Sequence, residues 1–374
     1  MWRLPDPTIP AARRFPLVAR PRPAALPLAD RIAELTALAA AAADRDENGR
    51  RLTAATVQNR AALIASDCGL PELARVLCQQ HLQSHLRALP LNAQTALYAM
   101  EPAINAARLL IRRGDGAQAH HLLTALYTAA TEHTVADVDG VTVDFREIAP
   151  DAEVQHALRR TLWAALLADG TRALAQAGRW QEAADQVRLH RGVGVRLLDG
   201  RQIAIVAQSL AEDTDAALAL VDATEPVDRW EETVAAALKA FCLANGGRPA
   251  EQAGEELADS YLEMECAPGT GVFQAQLGLT VLDVTHTRDD TVAARIIRDA
   301  LTTQDGYVGR AVLTHPHCSA HLSSAEQQDL ETVVDAAGLR TGSIPFALLS
   351  ELHEAVDLAR ASVTPSPGDL QQHS

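Results

Sequence analysis

The chain has 374 residues, of which 48% are hydrophobic and only 3% aromatic, so small aliphatic side chains must supply most of the core. Its net charge of −15 argues against a phosphate-binding surface and against binding to an anionic membrane. The longest apolar run is far shorter than the ~20 residues that a membrane-spanning helix needs. We therefore expect neither nucleic acid nor a membrane as a direct partner.

Residues 1–28 form a Pro/Arg-rich arm that holds seven of the eighteen prolines and five arginines against one acidic residue. Proline fixes φ and removes a backbone donor, so the arm is predicted to be extended, or disordered in isolation. Because the rest of the chain is acidic, a second possibility is that the arm lies back on the body. The polar tail, residues 363–374, is predicted to lie outside the folded part.

Cysteine and lysine usage limits the compartment and the chemistry. The five cysteines are dispersed and include no CxxC pair, and the arm lacks the apolar stretch of a secretory signal. Both observations predict a cytoplasmic location. Lys239 is the single lysine among 33 basic residues, an arginine bias typical of GC-rich genomes. Any catalytic or phosphate-binding lysine would have to be Lys239.

Residues 29–362 are predicted to form a single, almost entirely helical domain. Alanine and leucine dominate, and glycine or proline interrupts the pattern every 15 to 20 residues. The exception is residues 133–148, where VADV and VTVDF flank Asp139-Gly140, a pair typical of tight hairpin turns. The predicted fold class is therefore all-α, with one short β-hairpin inserted between helices.

The predicted helices form pairs that share one sequence frame. Residues 64–77, 110–123 and 174–187 each end a helix at a glycine and place an alanine five residues later. Glycine ends a helix in the left-handed conformation without a Cβ penalty, and a small alanine lets the next helix cross closely. Looser copies place Ala217 34 residues after Ala183, and Ala253 36 residues after Ala217. Such pairs bury their apolar faces by stacking.

In this frame the chain resembles the tetratricopeptide-repeat (TPR) family, most clearly in Gly178-Arg179-Trp180-Gln181-Glu182-Ala183. The resemblance covers residues 50–305 and implies a TPR-like α-solenoid of antiparallel helix pairs. It also implies a concave groove for a peptide or protein, lined by the first helix of each pair. Those first helices are predicted at about 53–68, 102–113, 157–177 and 200–211.

Polar side chains that fall on the apolar faces of these first helices are the predicted ligand-binding residues. They are Asn59, Asn105, Arg108, Arg112, Asp169, Arg172 and Arg201. Asp169 lies among apolar residues at helical spacing, and a buried carboxylate is costly unless it is paired. Arg108, Arg112 or Arg172 could supply that partner. The competing interpretation is an internal polar network that fixes the helix register.

Histidine is concentrated in residues 314–321, which contain His315, His317, Cys318 and His321. The last two histidines have the i, i+4 spacing of zinc ligands. Pro316 makes the start a turn, however, and no other Cys/His cluster lies nearby in sequence. We therefore predict a helix–turn–helix corner with no metal. The following helix is expected to begin at Ser323 or Ser324 with a capping box. No cofactor is predicted.

Two functions fit these observations. The first is a cytoplasmic helical-repeat scaffold that holds a protein or peptide partner and is accessory to regulation or specialised metabolism, including antibiotic biosynthesis. The alternative is an enzyme on a helical solenoid, with a small-molecule substrate bearing a carboxylate or phosphate. Asp169 or a histidine would then be the catalytic acid–base group. A homodimer formed through residues 345–361 is a further, minor possibility.

Overall fold

A computed structural model describes residues 8–42, 44–87, 89, 91, 93–265, 267–285 and 290–362. It is 73% helical and contains one small two-stranded sheet, which confirms the all-α fold class. Among the described residues, no helix combines the length and the apolar character needed to cross a bilayer.

The described residues form two compact units. The first unit runs from Pro27 to Ala165 and resumes at Gly338, and the second comprises the chain up to Leu26 and Leu166–Ala337. The sequence predicts a single domain of residues 29–362, and in the structure the chain from Gly338 onwards belongs with the first unit. The predicted polar tail, residues 363–374, lies outside the described residues.

The first unit is built from eight helices and the hairpin within the described part of the chain. They are α2 (Leu28–Ala40), α3 (Glu47–Asp67), α4 (Pro71–Leu86), α5 (Ala93–Arg112), α6 (Gly116–Glu132), β1 (Val135–Val138), β2 (Val141–Asp144), α7 (Phe145–Ile148), α8 (Ala152–Ala165) and α20 (Phe346–Ala361). One apolar core joins α2, α3 and α20 through buried side chains such as Ile32, Val57 and Leu352. The helices α3, α4 and α5 pack against one another in sequence order.

The β-hairpin forms within the predicted residues 133–148, but its second strand ends at Asp144, and Phe145–Ile148 form the helix α7. Strands β1 and β2 pair antiparallel with Val138 opposite Val141, so Asp139 and Gly140 alone make the turn. Both turn residues have positive φ, 55° and 81°, as a type I′ turn requires.

The helix ends of the repeated frame also agree with the prediction. Gly69, Gly114 and Gly178 all have positive φ, between 75° and 83°, and each follows the last turn of a helix. The alanines of the same frames, Ala74 and Ala119 among them, are completely buried at the helix contacts. The glycines of the frame therefore end helices, and its alanines pack at helix contacts, as the sequence indicates.

The second unit contains the remaining elements. They are α1 (Thr8–Ala12), a π-helical turn (Leu166–Gly170), α9 (Thr171–Gln176), α10 (Trp180–Leu189), α11 (Asp199–Leu210), α12 (Thr214–Asp222), α13 (Arg229–Asn245), α14 (Glu251–Glu263), α15 (Gly271–Thr285), α16 (Asp290–Thr303), α17 (Gly306–Thr314), α18 (Pro316–His321) and α19 (Ser324–Ala336). Helix α19 begins with the expected capping box, in which Ser323 and Glu326 satisfy each other's backbone donors.

The described part of the N-terminal arm, from Thr8 to Leu26, is packed into the second unit. After α1 the backbone is largely extended, as predicted, and the Phe15 side chain is buried against Phe241. Arg14 pairs with Asp283 at 2.8 Å, which agrees with the possibility that basic side chains draw the arm onto an acidic body. Backbone hydrogen bonds also hold it: the Leu17 N–H donates to the Gln202 side chain at 2.7 Å.

Candidate functional site

Four of the seven predicted ligand-binding residues line one pocket of the first unit. The pocket has a volume of about 260 Å³ and lies between α3 and α5, with one contribution from α4. The lining residues are Asn59, Arg60, Ala62, Leu63, Ser66, Cys78, Glu101, Asn105, Arg108, Leu109 and Arg112. We call this the α3–α5 surface. Helices α3 and α5 are the first helices of two successive predicted pairs.

A short row of polar side chains crosses the α3–α5 surface. The Asn105 side-chain N–H donates to the Asn59 carbonyl oxygen at 3.0 Å, and the Arg108 guanidinium donates to the Asn105 oxygen at 3.0 Å. Arg108 also lies 4.0 Å from the Glu101 carboxylate, and its side chain is 47% exposed. The row therefore bridges two helices and ends in a guanidinium that solvent reaches.

Arg112, one turn beyond Arg108, faces a different environment. It donates to the carboxylate of Asp67 at 2.7 Å and to the Ser66 hydroxyl at 3.2 Å. The Asp67 side chain is only 2% exposed and also accepts from Arg31 at 2.6 Å. The buried carboxylate that Arg112 neutralises in the first unit is therefore Asp67, which sequence reasoning missed. This part of the site matches the competing prediction of an internal network.

Sequence signals for the missed residues do exist. Asp67 is the last residue of α3, where the exposed carbonyl ends of the helix disfavour a carboxylate unless a cation is close. Glu101 precedes Asn105 by one helical turn and so shares its face. Arg60 likewise lies one turn before Leu63, another lining residue.

Asp169 and Arg172 belong to the second unit and do not line the α3–α5 pocket. The predicted helix 157–177 is interrupted by the π-helical turn at Leu166–Gly170. A π turn accommodates one more residue than an α turn, which rotates the residues that follow it away from the predicted face. Asp169 lies within this turn and is partly exposed.

Arg172 has contacts of its own in the second unit. It donates to the Pro16 carbonyl at 3.1 Å and lies 3.6 Å from the carboxylate of Asp199. Asp199 is buried and also accepts from Arg20 of the arm. Leu198 occupies the cap position of α11, and the Asp199 carboxylate in the first turn pairs with these two arginines.

Arg201 is a buried structural residue. Its guanidinium donates to the carbonyl oxygens of Gly194 and Leu220, at 2.5 and 2.8 Å, and to the Thr224 hydroxyl at 3.1 Å. Burial lowers the pKa of this guanidinium from its usual value. These contacts hold the loop before α11 against the end of α12.

A second groove of the first unit lies on another side of α5. It has a volume of about 620 Å³, is bounded by α4, α5, α6 and β1, and shares Leu109 with the α3–α5 pocket. Its charged lining residues are of both signs: Arg75, for example, donates to Asp139 at 2.9 Å. None of the seven predicted ligand-binding residues lines this groove.

A pocket of about 520 Å³ in the second unit has charged lining residues that are mainly acidic. Its lining includes five carboxylate side chains and the rings of Trp230 and Phe273, which meet edge to face with centroids 5.7 Å apart. Sequence spacing does not reveal this pocket, because its carboxylates come from α13, α14 and the segment that follows α14.

The histidine-rich segment separates into two groups. His315 caps α18 by accepting from the Cys318 N–H, and its Nε2 lies 3.1 Å from Asp283. Cys318 is buried, which raises the pKa of its thiol to about 12. The rings of His317 and His321 instead contact each other at a tilt of 39°, with centroids 4.4 Å apart, next to Asp290 of α16.

Another histidine pair, His81 and His85 on α4, was not singled out from the sequence. Their Nε2 atoms are 3.1 Å apart and His81 is buried. Burial lowers the pKa of both rings, that of His85 to about 4, so the pair is neutral at pH 7.

Comparison with protein-family models, with curated protein sequences and with solved structures gives no match for this chain.

Proposed function

We propose that this protein is a cytoplasmic helical-repeat scaffold whose α3–α5 surface binds an acidic peptide segment of a protein partner. The observation that carries the proposal is the row formed by Asn59, Asn105 and Arg108 across two successive first helices. The helix pairs are proposed to stack as in a TPR-like solenoid, and the protein to be accessory to regulation or specialised metabolism.

The chemistry of the row suits a peptide. An asparagine amide both donates and accepts, so it matches the alternating groups of a peptide backbone. A guanidinium presents a planar fork of donors that fits a carboxylate. Arg60 and Arg108, whose side chains are 35% and 47% exposed, place two such guanidinium groups at the pocket, where Arg60 also pairs with Glu34 and Arg108 lies near Glu101.

The size of the pocket also favours a peptide over a cofactor-sized ligand. Sites for small molecules usually enclose about 300–1,000 Å³, whereas this pocket has about 260 Å³. A pocket of that size accommodates one or two side chains of a segment that continues along the surface. The predicted enzyme remains an alternative, but its proposed residues are divided: Asn105, Arg108 and Arg112 lie in the first unit, Asp169 and Arg172 in the second.

Peptide selection tests the proposal without knowledge of the natural partner. A random peptide library displayed on phage is selected on the wild-type protein, and enriched sequences are synthesised and measured by fluorescence anisotropy. We expect Asp- and Glu-rich peptides whose affinity falls at least ~10-fold in Arg108→Glu, since an attractive charge contact becomes repulsive.

Arg159→Glu provides the matched control, because Arg159 is an exposed arginine on α8 of the same unit and does not line the pocket. This variant should bind the selected peptides as the wild type does. The proposal fails if no peptide is enriched, or if the two charge reversals weaken binding equally.

A further inference from the structure

We infer that Asp290, His317 and His321 of the second unit form a binding site for a divalent transition-metal ion such as Zn²⁺. The site is distinct from the α3–α5 surface and does not depend on the function proposed for that surface. One ligand atom from each of the three side chains lies within 4.8 Å of the other two. Ligands bound about 2.0–2.2 Å from zinc lie roughly 3–4 Å apart, so small side-chain rotations suffice to bring them together.

The hydrogen bonds of His321 orient it for coordination. Its Nδ1–H donates to the His317 carbonyl at 2.8 Å, and its Nε2 lies 2.8 Å from the Asp290 carboxylate. A neutral imidazole has one N–H and one lone pair, so it can donate to only one of these two oxygens. A metal ion between Nε2 and the carboxylate would satisfy both, with the Nδ1 hydrogen bond fixing the tautomer as in many protein metal sites.

The backbone around His317 and His321 is firmly positioned. Pro316 occupies the first turn of α18, and the His315 side chain caps that helix while also contacting Asp283. Helix α18 packs on α16, which brings Asp290 from 27 residues earlier in the chain next to His317. The two histidines are one helical turn apart, so their rings project from the same side of α18.

The ligand set indicates the class of metal. Two imidazole nitrogens and one carboxylate suit Zn²⁺ and its neighbours in the first transition row, whereas Mg²⁺ and Ca²⁺ prefer oxygen ligands throughout. The Asp290 side chain is 75% exposed and that of His321 34% exposed, so an ion could enter from solvent and keep water in its remaining positions. This inference replaces the sequence-based expectation of no metal.

Metal analysis of tag-free protein tests the site. The protein is dialysed against ZnCl₂ and assayed for bound zinc, and CoCl₂ is titrated while the visible d–d absorption is recorded. We expect about one ion per chain, as for a single three-ligand site. Asp290→Asn should weaken binding at least ~10-fold, and the double variant His317→Gln/His321→Gln should abolish it.

His353→Gln is the control, since His353 is an exposed helical histidine of the first unit, outside the group. It should bind zinc as the wild type does. Equal binding by all four proteins, or no binding by the wild type, would overturn the inference. If the double variant were unfolded by circular dichroism, Asp290→Asn would decide, because an exposed carboxylate is replaced there by an amide of the same shape.

Discussion

Arg108 and Arg112 are one turn apart on α5, but their side chains have different contacts and different exposure. Arg112 reaches a carboxylate that is 2% exposed and shared with Arg31, whereas Arg108 contacts Asn105 and remains 47% exposed. A charge that neutralises a buried partner is required for stability, and an exposed guanidinium is available to a ligand. Helical spacing assigns both arginines to one face, but the burial of their partners decides what each does.

The largest expected effect is the removal of the carboxylate that Arg31 and Arg112 share. Asp67→Ala leaves the buried guanidinium of Arg31 without its counter-ion, so we expect a loss of about 3–5 kcal/mol in the free energy of unfolding. Urea unfolding followed by circular dichroism measures it, with Glu153→Ala, an exposed position of α8, as control. A loss below about 1 kcal/mol would mean that Asp67 is not held as a buried ion.

Arg112→Ala should be less costly than Asp67→Ala. Asp67 keeps its ion pair with Arg31 in this variant, so we expect a loss of about 1–3 kcal/mol in the free energy of unfolding, typical of a hydrogen bond to a charged group. In a double-mutant cycle the two substitutions should be less than additive, because they remove the same contact. Full additivity would contradict the shared network.

The neutral pair of His81 and His85 on α4 is a second polar contact of the first unit whose stability depends on burial. Burial lowers the pKa of His85 to about 4, whereas in the unfolded chain it is near 6.5. Between these values the unfolded state binds a proton that the folded state does not, so stability is retained above pH 6.5 and falls as the pH decreases. From pH 7 to pH 5, His85 should contribute a loss of about 2 kcal/mol.

Unfolding experiments at both pH values, on the wild type and on His85→Gln, measure this loss. The variant should be less sensitive to pH than the wild type, because its side chain does not titrate. The same pH dependence in both proteins would show that His85 is not buried in its neutral form.

Arg108→Ala has the smallest expected effect on stability. Its side chain is about half exposed and donates to a neutral amide, so the free energy of unfolding should change by no more than about 0.5 kcal/mol. Thermal unfolding at pH 7 checks this value. A loss as large as that of Arg112→Ala would make both arginines structural and remove the basis for a binding surface.

Local features of the fold could be predicted from the sequence, because they depend on residues close together in the chain. The Asp139-Gly140 turn, the glycine helix ends and the Ser323 capping box are such features. Helical periodicity also indicates the helix face that Asn59 and Asn105 each occupy, but their contact with each other comes from the packing of α3 near α5. These positions differ by 46 residues but belong to successive first helices.

The partners of buried charges could not be predicted in this way. Periodicity shows which face Arg112 occupies, but not that Asp67 rather than Asp169 lies opposite it, since that depends on how the helices pack. The π-helical turn around Asp169 changes the period itself. Asp290 joins His317 and His321 only through the packing of α16 on α18, so the metal-binding group is not visible in sequence spacing.

The decisive experiment measures the affinity of one selected acidic peptide for the wild type, Arg108→Glu and Arg159→Glu, in low and in moderate salt. We predict that Arg108→Glu alone weakens binding at least ~10-fold, and that salt weakens the binding of the wild type. Equal affinity for all three proteins would contradict the account, because the α3–α5 surface would then not be where the peptide binds.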